Sequence, residues 1–88
     1  MGFYVYVLGT TKKPFKTYVG WAKDVRKRLN KHNLGLGAKF TRGRKWKIIY
    51  KKSYNTKSEA MKNEYLLKKN IKKRFQIKQK YQKKHKIT

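Results

Sequence analysis

Residues 16–33, KTYVGWAKDVRKRLNKHN, contain the change of period that decides the fold. Lys16 to Gly20 is rich in β-branched and aromatic side chains, the composition of a half-buried strand. From Asp24 onward the apolar positions are Val25 and Leu29, an i, i+4 spacing that places both on one face of a helix. Asp24 stands where a carboxylate caps the first amides of a helix and complements its dipole. Gly35 lies just past the expected end at Asn33. The stretch reads as strand, turn, helix. Arg28 and His32 are also i and i+4, so they share a helix face, which is either solvated or half of a chemical site.

Working outward, Phe3 to Leu8 (FYVYVL) is a strand, and Gly9 to Phe15, with Pro14, is the turn that pairs it with the strand at 16–20. Leu34 to Arg44 (LGLGAKFTRGR) is a glycine-punctuated loop. Trp46 to Tyr54 (WKIIYKKSY) predicts a third strand with Trp46, Ile48 and Tyr50 on one face. Thr56 and Glu59 have capping-box spacing and open the longest helix, to about Lys69. Ile71 to Tyr81 either continues it or follows a bend near Asn70. The order β-β-α-β-α-α predicts an α+β domain, a three-stranded antiparallel sheet flanked by helices. It spans residues 1–82, and 83–88 form a basic tail expected to fray. Lys78, Lys80, Lys83, Lys84 and Lys86 read as a diffuse phosphate-attracting surface near that end.

Composition narrows the chemistry. The 88 residues allow one modest core, burying about 60–65% of the unfolded surface. Lysine and arginine number 27 against 3 acids, a net charge of +24. Such self-repulsion calls for a polyanionic partner, and interleaved aromatics point to nucleic acid. An AT-rich genome would raise lysine codons but does not readily account for the scarcity of Asp and Glu. Cysteine is absent, excluding a disulfide framework, a thiolate zinc site and a cysteine nucleophile. With His32 and His85 as its two histidines, the chain would hold a metal through oxygen ligands, which suits Mg²⁺ or Mn²⁺. No apolar run approaches the roughly 18–20 residues of a membrane span. The start lacks the n-region and cleavage site of a signal peptide, so a cytoplasmic protein is expected.

The three acids differ in kind. Asp24 and Glu59 have capping roles. Glu64 does not. The apolar stripe of its helix is expected at Ala60, Met61, Leu67 and Ile71, and Glu64 falls within it. A carboxylate there needs a cation, either a partly buried salt bridge to one of the basic residues or a metal. Tyr4 and Tyr6 alternate with Val5 and Val7 and so share one strand face, and Tyr18 on the next strand can lie near one of them. Tyrosines, an arginine, a histidine and one acid in a basic surround are the parts of phosphodiester hydrolysis: a proton acceptor, a charge clamp and a metal ligand.

These blocks, in this order, resemble the GIY-YIG endonuclease family. YVY (4–6) stands for the first signature element and YVG (18–20) for the second. DVRKRLNKHN (24–33), GAKFTRGRKWKIIY (37–50) and KSEAMKNEYLLK (57–68) follow. The chain looks most like the family's small stand-alone members, with Tyr4 in place of the first glycine and Trp21 where Lys or Ile is more common. The family fold is a three-stranded antiparallel sheet flanked by helices. The resemblance implies that Tyr6 and Tyr18 are the signature tyrosines, Arg28 contacts the scissile phosphate, His32 stands beside the catalytic tyrosine, and Glu64 binds the metal.

The activity implied is metal-dependent hydrolysis of DNA, with Tyr6 or Tyr18 activating water, helped by His32. A basic surround is expected to lower the tyrosine pKa. Tyr4, Trp21, Lys23, Lys39, Arg42 and Arg44 are the expected nucleic-acid contacts, with exposed Trp21 and Phe40 able to stack on unpaired bases. Single-stranded or flapped DNA is the expected substrate, and a monomer the expected state, with a dimer as the alternative. The competing readings are an inactive nucleic-acid-binding module and a ribosome- or RNA-associated basic protein.

Overall fold

The computed structural model describes residues 2–85. Three strands, β1 (Phe3–Thr10), β2 (Thr17–Ala22) and β3 (Trp46–Tyr54), form one antiparallel sheet in the order β2-β1-β3. Helix α1 (Val25–Asn33) follows β2, and α2 (Lys57–Lys69) and α3 (Ile71–His85) follow β3. The predicted α+β order is therefore the observed one. The loop between α1 and β3 contains a single 3-10 turn, Lys39–Thr41.

The caps work as their residue types require. Asp24 accepts from the Lys27 amide at 3.0 Å, and Thr56 and Glu59 complete a reciprocal capping box. At the end of α1 the Gly35 amide donates to His32 O and the Leu36 amide to Lys31 O. This Schellman closure needs the left-handed φ of +78° at Gly35. α2 stops at Asn70, whose side chain then accepts from the Lys73 amide at 3.0 Å and caps α3. The bend expected near Asn70 is thus real.

β1 is buried on both faces, and its alternation divides the core. Val5 and Val7 pack with Val19, Ala60, Leu67 and Ile77 under α2 and α3. Tyr6 and Leu8 pack with Ala22, Val25 and Trp46 under α1. Against expectation, Tyr50 does not share a face with Trp46 and Ile48. Val7 pairs with Tyr50 but Leu8 with Ile48, so Ile49 is an extra residue in a β-bulge. The bulge sends Ile49 and Tyr50 to the α2–α3 side.

One further expectation is revised. Ala60 and Leu67 are buried, but Met61 is 47% exposed and Ile71 72%, so the buried stripe of α2 is narrower than its apolar pattern. α3 runs through Lys83 and Lys84 to His85. Lys78 and Lys80 are helical too, and Lys78 Nζ lies 5.4 Å from the Phe15 ring centre, beside the Phe15–Tyr81 stack. Lys86 and the expected fraying of 86–88 lie outside the described residues. Among the described residues, no helix is long and apolar enough to cross a membrane.

Candidate active site

The β1–β2 register sets Tyr6 opposite Gly20 and Leu8 opposite Tyr18. Tyr6 and Tyr18 therefore both project to the α1 side of the sheet. The Tyr6 ring lies across Gly20: a Cβ there would meet Tyr6 Oη at 2.5 Å and Cζ at 2.7 Å. The glycine after Tyr18-Val19 is needed for this close approach, not for a special φ.

Tyr6 Oη is 3.0 Å from His32 Nε2, and His32 Nδ1 is 2.9 Å from Thr41 Oγ1. The Thr41 hydroxyl donates its one proton to Ala38 O at 2.8 Å, so it must accept from His32 Nδ1–H. Nε2 is then the bare nitrogen and accepts from the Tyr6 hydroxyl. The chain Tyr6–His32–Thr41 thus has a single direction of donation at each link, and all three residues are buried. Thr41 is itself anchored, because its carbonyl accepts from Trp46 Nε1 at 3.0 Å. Trp46 in turn exchanges hydrogen bonds with the Asn33 side chain at 2.7 and 3.3 Å, tying the end of α1 to β3. Gly37 leaves room for the imidazole, since a Cβ there would overlap His32 Nδ1.

Burial governs the charge state of the pair. It pushes the Tyr6 phenol well above its ordinary value; Tyr18 adds to the rise, Arg28 opposes it by charge and hydrogen bond, and Glu64 adds a smaller push. The expected lowering of the tyrosine pKa is therefore overturned at Tyr6, where lost hydration outweighs the nearby guanidinium. Burial, with Arg28 second, holds His32 below its ordinary 6.5. Both groups are neutral at neutral pH, consistent with the donation pattern.

Arg28 is exposed at the mouth of this arrangement and lines a cleft of about 340 Å³ with Tyr18, Lys31, His32, Leu36, Gly37 and Ala38. The Tyr18 ring packs against His32 at 4.9 Å and stacks on Phe40 at 6.4 Å. Of the five expected site residues, Tyr6, Tyr18, Arg28 and His32 come together around this cleft, and Glu64 is near enough to act on the Tyr6 phenol by charge. Glu64 is the most peripheral: its side chain is 19% exposed, and Oε2 is 3.4 Å from Lys68 Nζ one turn along α2. The salt-bridge alternative for Glu64 therefore describes the free protein. Lys68 is half exposed, and such an i, i+4 pair contributes only a few tenths of a kcal/mol, too little to bar a dication. Among the described residues no three His, Asp or Glu side chains gather around one point. A hydrated ion completed by water and phosphate oxygens fits one carboxylate; an ion caged by protein ligands does not.

The expected nucleic-acid contacts separate into groups. Trp21 and Lys23 line a second cleft with Arg28. Lys39, Arg42 and Arg44 are exposed around the 3-10 turn, and Arg44 lies over the Phe40 ring at 5.3 Å. Tyr4 joins neither cleft; it packs into the α1-side core with Lys51 Nζ 5.2 Å from its ring centre. Sequence reasoning missed Thr41 and Asn33. The available signal at Thr41 was a hydroxyl spaced three residues from Ala38 in a loop otherwise made of glycine and cations.

The catalytic-domain profile of the GIY-YIG family matches residues 2–86. A UPF0213 protein of Staphylococcus saprophyticus is 44% identical over 66 residues, covering 74% of this chain and 78% of the relative. UPF0213 proteins of Staphylococcus aureus strains are 52% identical over 52 residues, 58% of this chain and 63% of theirs. No solved structure matches the chain. A profile match that runs through both tyrosine elements, the Arg28–His32 helix and Glu64 makes this chain a member of the GIY-YIG family of nuclease catalytic domains, in its small stand-alone branch.

Proposed function

We propose that the protein is a metal-dependent endonuclease that hydrolyses phosphodiester bonds of DNA, acting as a monomer in the cytoplasm on single-stranded or flapped substrates. The observation that carries this reading is the directed chain Tyr6–His32–Thr41 ending beside Arg28. A binding module has no use for a buried imidazole with a bare nitrogen aimed at a phenol under an arginine.

Arg28 receives the scissile phosphate, and its charge, felt at the Tyr6 phenol, favours loss of the phenol proton as the water attacks. Tyr6 does not ionise on its own. Its proton passes to His32 Nε2 as its oxygen takes the proton of the water, so the pair acts as one general base. The imidazolium formed keeps its Nδ1–H on Thr41. Water oxygen bonds to phosphorus, the bond to the leaving sugar oxygen breaks, and that oxygen takes a proton from solvent. Arg28 offsets the charge that builds on the phosphate oxygens. Glu64 would hold Mg²⁺ or Mn²⁺, which when bound stabilises negative charge on the leaving oxygen.

A second assignment of the base is Tyr18, because Tyr18 lines the open cleft whereas Tyr6 is 1% exposed. The discriminating experiment compares single-turnover cleavage of labelled single-stranded, flapped and duplex DNA by wild type, Tyr6→Phe and Tyr18→Phe, with Mg²⁺ and with EDTA. The proposal expects cutting that EDTA abolishes, faster on single strands and flaps, and lost mainly in Tyr6→Phe. Binding without cutting in any metal would leave the inactive-module reading; faster cutting of blunt duplex would remove the substrate preference.

A further inference from the structure

Arg28 and Lys31 form a wall shared by two clefts, the catalytic one and a larger one of about 570 Å³ at the β2 edge of the sheet. That volume lies within the roughly 300–1,000 Å³ of small-ligand sites. Its floor is aromatic: Phe3 and Trp21 pack at 6.4 Å with their planes tilted by 49°. Its rim is cationic, with Lys23 and Lys57 added to Arg28 and Lys31. In the free protein Lys23 Nζ lies 5.4 Å from the Phe3 ring centre and Lys57 Nζ 5.6 Å from that of Trp21. Both lysines are exposed, so each can leave its ring for a phosphate when another π-face arrives.

From this geometry we infer that the Phe3–Trp21 cleft is a nucleobase pocket, which seats one unpaired base of the nucleotide adjoining the phosphate on Arg28. An aromatic floor, with the Trp21 ring as its largest π-face, under a cationic rim matches a ligand with a flat π-system and flanking phosphates, which is a nucleotide within a strand. A base in a duplex is stacked and paired, so neither of its faces can reach Trp21. The pocket thus turns the wall at Arg28 into a device that couples strand separation to phosphate placement. The inference rests on the proposed nucleic-acid substrate and adds the residue that reads its single-stranded character.

The test is metal-free, so cleavage plays no part in it. Affinities for an oligothymidylate and an abasic strand of equal length and charge are measured in EDTA with wild type, Trp21→Phe and Trp21→Ala. The expected result is at least about fivefold tighter binding of the base-bearing strand by wild type, a ratio that Trp21→Phe keeps and Trp21→Ala reduces about fivefold. The base-bearing strand should also quench a part of the tryptophan fluorescence that is missing in Trp21→Phe, where buried Trp46 alone remains. Equal affinity of wild type for the two strands overturns the pocket without recourse to any variant, even if Trp21→Ala folds poorly. A ratio fully retained in folded Trp21→Ala overturns it as well. A protein that cuts nothing in Mg²⁺ yet shows the Trp21-dependent ratio keeps the pocket and loses the nuclease reading; one that cuts without the ratio does the reverse.

Discussion

The two halves of the candidate site are built in opposite ways. Tyr6, His32 and Thr41 belong to the core, each hydrogen bond directed by the next and the whole chain pinned through Trp46 to α1 and β3. Glu64 stands half-buried on α2, paired to one half-exposed lysine on its own helix. The first region trades freedom for orientation, so chemistry and stability are coupled there. The second is held loosely enough that its carboxylate can exchange Lys68 for another cation. A proton relay needs fixed geometry and a fixed tautomer, whereas a hydrated ion needs an accessible charge.

Glu64→Gln tests that difference most severely. The amide is nearly isosteric but supplies no charge, and cleavage should fall by about a hundredfold or more. Folding stability should change by under about 1 kcal/mol, because only a half-exposed ion pair is lost. Single-turnover rates and thermal melts check both, and a wild-type rate would remove Glu64 from the chemistry.

In Tyr6→Phe the two effects should appear together. Cleavage drops about a hundredfold as the relay loses its first member. Stability drops by about 1 kcal/mol as His32 Nε2 loses its donor. If stability falls and the rate does not, the hydrogen bond is architectural and Tyr18 becomes the base.

pH separates the regions by a smaller margin. His32 must be neutral to accept a proton, and burial holds it below 6.5. Cleavage should be flat just above that value and fall about tenfold per pH unit on an acid limb whose midpoint lies below 6.5. Stability follows the same group. As the pH drops through 6.5 the unfolded chain takes the proton first, so the folded state weakens on acidification and gains nothing from His32 above that value. Thr41→Val removes the acceptor that sets the tautomer and should cost about tenfold in rate with a lower melting temperature. A pH–rate profile and melts on both proteins test this, and an acid midpoint well above 6.5 would contradict the burial of His32.

The smallest effect belongs to the loosely held half. Lys68→Met removes the partner of Glu64 and should alter stability by no more than about 0.5 kcal/mol. At limiting Mg²⁺ the rate should hold or rise about twofold. A large loss of rate would mean that Lys68 itself touches the substrate.

Local chemistry determined a large share of this molecule. Caps at Asp24 and Thr56, the stop at Gly35 and the period change after Gly20 are short-range features, and their physics is complete within a few residues of chain. Alternation alone placed Tyr4 and Tyr6 on one face, and spacing alone placed Arg28 with His32. Three matters were decided only in three dimensions. The extra residue at Ile49 moved Tyr50 across the sheet, because a bulge is a relation between two strands and leaves no mark on one. The Tyr6 phenol was pushed up rather than down, because burial is a sum over distant neighbours and here exceeds the pull of Arg28. Thr41 joined His32 from nine positions along the chain, across a loop whose path no local preference dictates. Secondary structure is legible in sequence because its forces are local; the tautomer, the charge state and the shared wall at Arg28 arise from contacts that exist only once the chain has folded.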